Sequence, residues 1–166
     1  AHELIHPYVQ IPVKRDNPFA ALVMEGFPSF FQIYALEKTL SDQNFDLKFY
    51  MKRVEKSYMH KRETGKNRRD NKMPAEKPIL DISFDQVGNY KDTFVLSDRV
   101  WLFLHDLWHH MGDTSYDCFL KELFCFESID YEKFEKLILK YLPHYKEKLN
   151  IWLNTTQYPQ SIRLES

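Results

Sequence analysis

With 166 residues, 20.1 kDa and 43% apolar side chains, the chain has the size of one domain with a sizeable core. Its 23 basic and 24 acidic residues leave a net charge of −1, so no overall field favours nucleic acid or an anionic membrane. No apolar run nears the ~20 residues that span a bilayer, and no signal peptide is visible.

Residues 2–6 read as the end of a helix, because Pro7 removes a backbone donor and disfavours helical geometry at the residue before it. Pro12 and Pro18 mark 7–19 as an irregular connection. From Ala20 onward, Ala21, Leu22, Met24, Phe27, Phe30, Phe31, Tyr34, Ala35 and Leu36 recur at helical spacing, with Pro28 expected to kink the helix or set its first turn. A helix over 45–59 carries Leu47, Tyr50, Met51, Val54 and Tyr58 on one side. The polar stretch 60–77 mixes Lys and Arg with acids and lacks interleaved aromatics, so it reads as a solvated loop rather than an RNA-binding patch.

Pro74 and Pro78 lead into a loop over 79–90. Residues 94–111 form a strongly amphipathic helix, ended by Gly112, with Asp113 placed to cap the next one, which runs to about Phe126. Asp130 caps a helix that Pro143 stops, and 150–164 reads as a closing turn around Trp152 and Tyr158-Pro159. Cys118 and Cys125, seven apart on one helix, are separated by about 10 Å of rise, too far for a disulfide. They read as buried thiols, which leans toward a reducing, cytoplasmic compartment, while Asn154-Thr155-Thr156 is an N-glycosylation sequon pointing the other way.

The residues that carry chemistry stand at the start. His2-Glu3-Leu4-Ile5-His6 is an HExxH motif, which sets two imidazoles four residues apart on one helix face, within reach of one metal ion. Glu3 lies beside them, where it can take a proton from an activated water. Eighteen residues separate His6 from Glu25, enough for the chain to leave one helix and return on another with a third ligand. Two His and one Glu around zinc leave the fourth position open, the donor set of a hydrolytic site. His105 and His109 repeat the i, i+4 spacing with Asp106 between them, a candidate second metal site. The better reading of that cluster is an exposed helix face near its C-terminus, where cations are favoured.

HELIH, the 18-residue spacer and Glu25-Gly26-Phe27 together resemble the gluzincin zinc metallopeptidases, specifically the aminopeptidase N family. Tyr90, 65 residues after Glu25, falls where that family has a tyrosine that supports the transition state. Met111-Gly112-Asp113 is similar to the turn that ends the family's long apolar helix, and Trp152 with Gln157-Tyr158-Pro159 to the end of its catalytic domain. Departures from the family are Leu22 where a Trp is usual, Pro7 and Pro28 in place of helix-continuing residues, and Asp92-Thr93 after Tyr90.

The resemblance implies a mainly α fold over residues 1–166, a single helical subdomain of a thermolysin-like zinc peptidase catalytic domain. The upstream β-rich part and the amine-recognition motif are not in this sequence, so the chain is expected to be cut from a longer polypeptide, with the rest of which it would pack. It implies one Zn²⁺ on His2, His6 and Glu25, with Glu3 as general base and Tyr90 as oxyanion donor. The implied enzyme is a metalloprotease that removes N-terminal residues from peptide substrates. Two alternatives stay open: another zinc hydrolase, endopeptidase or epoxide hydrolase, and a noncatalytic protein-binding scaffold derived from a peptidase fold.

Overall fold

Pro28 and Gly26 decide how the first described helix is built and what it packs against. The structure is a computed structural model and describes residues 11–40, 46–66, 72–73, 75–87 and 95–159. Among these it forms six α-helices: α1 (Phe27–Leu40), α2 (Leu47–Thr64), α3 (Val100–Met111), α4 (Asp113–Phe124), α5 (Tyr131–Tyr141) and α6 (Lys146–Asn154). Two π-helical segments, π1 (Leu22–Gly26) and π2 (Val95–Arg99), lead directly into α1 and α3. The mainly helical expectation holds; the pairing of extended backbone among the described residues is an antiparallel bridge between Lys66 and Lys72.

Of the two outcomes expected at Pro28, a kink or the first turn of the helix, the structure shows the second, with a change of helical register just before it. A proline cannot donate to the carbonyl four residues back. Here the ladder widens just before it: the Phe27 N–H donates to the Leu22 carbonyl, five residues back, and Pro28 falls in the first turn of α1, where a missing N–H costs little. The Ser29 hydroxyl donates to the Glu25 carbonyl at 2.8 Å, occupying an acceptor near the disturbed turn. The widened turn lies at a close packing contact. π1 lies against the junction of π2 and α3, so closely that a Cβ on Gly26 would stand 2.9 Å from Val100 Cγ1.

α2 begins where Asp46 accepts from the Phe49 N–H at 2.8 Å and ends at Gly65, whose φ of +63° supplies the left-handed closing residue. It therefore outruns the expected boundary, and residues 60–64 of the expected solvated loop are helical. That stretch is also less solvated than its composition suggests: Lys61 pairs with Asp98, and Arg62 with Glu76 at 2.7 Å. Residues 79–86 hold two single 3₁₀ turns, Ile79–Asp81 and Phe84–Gln86, with Ile79 and Ile82 buried.

Gly112, at φ +72°, ends α3 as expected. Asp113, however, does not cap α4. Its carboxylate accepts from Trp108 Nε1 at 2.7 Å, on the preceding helix. Asp130 does cap α5, accepting from the Lys133 N–H at 2.9 Å. The expected closing turn over 150–164 is helix α6 as far as Asn154, with Leu149, Trp152 and Leu153 buried.

The core is aromatic, and Phe134 stands at its centre. Its ring meets Phe19 from the entry loop at 4.9 Å, Phe27 of α1 at 5.6 Å, Phe119 of α4 at 6.2 Å and Phe103 of α3 at 6.3 Å between centroids. Fully burying each such ring stabilises the fold by roughly 1.5–3 kcal/mol, so this cluster ties the entry loop, α1, α3, α4 and α5 into one body.

Candidate functional site

Of the five residues expected to act together, the structure describes one. His2, Glu3, His6 and Tyr90 lie outside the described residues, as do Pro7 and Asp92. Glu25 is half-buried in π1, one residue before buried Gly26. A π-turn is costly as regular structure and persists where the surrounding packing or a function requires it. Here the packing contributes: with no side chain at residue 26, the backbone beside Glu25 approaches α3, which fixes where the glutamate leaves the helix.

The fit to zinc is tested on donor chemistry. Imidazole and carboxylate are zinc ligands, and Glu25, half-buried on a packed segment, suits a fixed carboxylate ligand. Among the described residues no group of three or more His, Cys, Asp or Glu is arranged to hold a metal ion. His105 and His109 therefore do not form a second metal site there. Nor is the cluster simply an exposed cationic face. His109 is exposed, but His105 is largely covered, and burial, with the charge of His109 second, lowers its pKa to about 4 against the opposing pull of Asp106. The ring is neutral at pH 7.

Two residues organise the centre of the molecule: Arg99, which sequence reasoning did not single out, and Asp106, which it named only as lying between two histidines. Arg99, at the end of π2, is fully buried. Its Nε donates to the Trp152 carbonyl at 3.0 Å, and Nη1 donates to Tyr58 Oη at 2.7 Å and to Glu76 at 3.0 Å. Nη2 donates to the carbonyls of Ile151, Trp152, Thr155 and Gln157 at 2.7–3.0 Å. One guanidinium thus satisfies the C-terminal carbonyls of α6 and the turn beyond it, which a helix end otherwise leaves without donors.

Asp106, two turns along α3, is 3% exposed. It accepts from Tyr145 Oη, from Lys148 Nζ at 2.9 Å and from Trp152 Nε1 at 3.2 Å. Burial, with the Asp106 charge second, raises the Tyr145 hydroxyl far above its ordinary pKa, so it stays a donor. The signal for both residues is present in the sequence. Arg99 lies between Val95 and Phe103 at i−4 and i+4, and Asp106 three residues after Phe103, so two charges stand on the apolar face of an amphipathic helix.

Other expectations meet the structure nearby. Trp152 is fully buried, Tyr158 donates to Glu55 at 2.8 Å, and Leu22 is core. Cys118 and Cys125 are both exposed free thiols, which corrects the buried reading: the apolar face of α4 is supplied by Tyr116, Phe119, Leu120 and Leu123 instead. Comparison with protein-family models, with curated proteins and with solved structures finds no match to this chain.

Proposed function

We propose that the chain carries the zinc site of a peptide hydrolase that removes N-terminal residues from peptides. One observation carries the reading: His2-Glu3-x-x-His6 followed after 18 residues by Glu25, the donor set and spacing of a two-His, one-Glu zinc site. The packing of Gly26 against Val100 supports it by giving the glutamate a defined seat. The assignment to the helical part of a thermolysin-like catalytic domain belongs to the same proposal and rests on the motif spacing.

In this reading His2, His6 and Glu25 hold the metal. Zinc supplies Lewis acidity toward the scissile carbonyl and the attacking water. Glu3 takes the water proton at its carboxylate and returns it to the leaving amine. Tyr90 donates its phenolic hydrogen to the oxyanion, a contribution of about 2.7–4 kcal/mol if it matches other oxyanion donors.

The protein should contain about one zinc per chain, lost in Glu25→Ala and in His6→Ala, because each removes a ligand. Glu3→Gln should keep the metal and lose turnover of aminoacyl-coumarin substrates, since an amide is no base. Tyr90→Phe should lower kcat about 10²–10³-fold with little change in KM. Stoichiometric zinc persisting in both ligand variants would overturn the assignment.

A further inference from the structure

A cleft of about 380 Å³ opens between the C-terminal ends of α1 and α3 and the start of α2. Glu37 of α1, Leu47 and Lys48 of α2, and His105, Trp108 and His109 of α3 line it. The volume lies in the range of small-molecule sites, and the wall is of the usual composition: an apolar side with a few polar groups.

Two of its polar groups ask for a donor. Glu37 Oε2 is buried and has no hydrogen-bond partner, a state that costs a carboxylate oxygen several times what a neutral group would lose. A half-turn of the nearly two-fold terminal torsion only exchanges the two oxygens, so one keeps the enclosed position and the other is the one a bound donor can meet. His105 is held neutral by burial, so it keeps one ring nitrogen as an acceptor. The aromatic wall is already used by a cation: Lys38 Nζ stands 5.5 Å from the Trp108 ring centroid and 3.6 Å from Asp113, whose other oxygen takes the Trp108 indole N–H.

We propose that this cleft binds a small monocationic primary amine, its ammonium group donating to Glu37 and His105 and its apolar stem lying against Leu47 and Trp108. The chemistry favours this class over its neighbours. The Glu37 carboxylate accepts and does not donate, and its charge repels an anion, which disfavours an anion as the group bound beside it. Lys48 at the same cleft opposes a second positive charge. A metal ion is disfavoured because no three ligating side chains converge among the described residues. None of its lining residues is among the proposed zinc ligands, and its reading stands or falls without them.

The test is a titration of the ¹⁵N-labelled chain with 2-phenylethylammonium chloride, read at the Trp108 indole and Gly112 amide resonances. Saturable shifts at both are expected. Glu37→Gln, which keeps the side-chain shape, should weaken binding about 10-fold or more, the scale of one charge-assisted bond. Lys48→Gln, at an exposed position, should strengthen it a few-fold by removing a like charge. The alcohol 2-phenylethanol, with the same stem and no charge, should bind at least about 10-fold more weakly than the amine. Absence of saturable shifts in the wild type, equal affinity in Glu37→Gln, or zinc chloride shifting these resonances where the amine does not would each overturn the proposal.

Discussion

Replacing Arg99 by methionine isolates the contribution of one buried guanidinium. Methionine fills the volume of the arginine stem and supplies no donor. The five N–H groups of the wild-type side chain are shared among seven acceptor contacts, five of them to carbonyls of Ile151, Trp152, Thr155 and Gln157. Bonds from a charged donor contribute about 1.5–3 kcal/mol each, so simple addition would exceed 10 kcal/mol, comparable with the whole stability of a small domain. Addition is the wrong rule for bonds that share one group. Glu76 retains Arg62 at 2.7 Å, and the turn at Gln157 is exposed, so its carbonyl can turn to water. What stays costly is the Trp152 carbonyl, deep in the core, whereas the Tyr58 hydroxyl still donates to Glu76. The expected loss is about 3–5 kcal/mol, that of removing one partner of a buried pair. Urea unfolding followed by circular dichroism and by tryptophan fluorescence measures it, the Trp152 ring lying 5.4 Å from the guanidinium carbon. A lowered midpoint at unchanged slope is expected. A loss below about 1 kcal/mol would show that the α6 carbonyls find water instead and that Arg99 is not the organiser of this end.

Gly26→Ala should destabilise the chain by about 1–3 kcal/mol, because its methyl group would stand 2.9 Å from Val100 Cγ1 on a stiff β-branched side chain. The double variant Gly26→Ala with Val100→Ala should show a favourable coupling term in thermal melts; strict additivity would mean that the close approach of π1 and α3 is not the cause. His105, with a pKa near 4 in the fold and 6.5 as the ordinary value, binds fewer protons folded than unfolded between those limits. Its contribution is fully present above pH 6.5 and is lost as pH falls toward 4, so His105→Gln should flatten the stability–pH curve in that window. An unchanged slope would count against a buried neutral ring. Both Cys118 and Cys125 should react with a thiol reagent in the folded chain without denaturant; protection of either would contradict its exposure.

How far the sequence reaches is clearest along α3. Its apolar period, its length and its glycine stop are all local properties, set by a 3.6-residue repeat and by the one residue that adopts φ +72° without strain. The Asp130 cap of α5 is equally local, since side chain and receiving N–H are three residues apart. The two charges inside the apolar face of this helical run were readable as anomalies. Their partners were not, because Arg99 meets carbonyls more than 50 residues away and Asp106 meets side chains about 40 residues away. The same limit explains Asp113, whose capping role was displaced by an indole N–H five residues back, available only once α3 and α4 turn at Gly112.

The proposed zinc site divides along that line. The chemistry of HExxH with a spaced Glu-Gly is a matter of residue identity and separation, and the sequence alone states it, whereas the convergence of His2, Glu3 and His6 on Glu25 is a tertiary question outside the described residues. For Glu25 itself, the sequence determined that a carboxylate precedes a glycine. Only the fold decided that the glycine lets two π-turned helices touch, because closeness of backbones 74 residues apart depends on packing and leaves no periodic trace in the chain. The cleft at Glu37 and His105 has the same origin: three helix ends from separate parts of the sequence enclose it, and burial rather than residue type makes one histidine neutral and leaves one carboxylate oxygen without a donor.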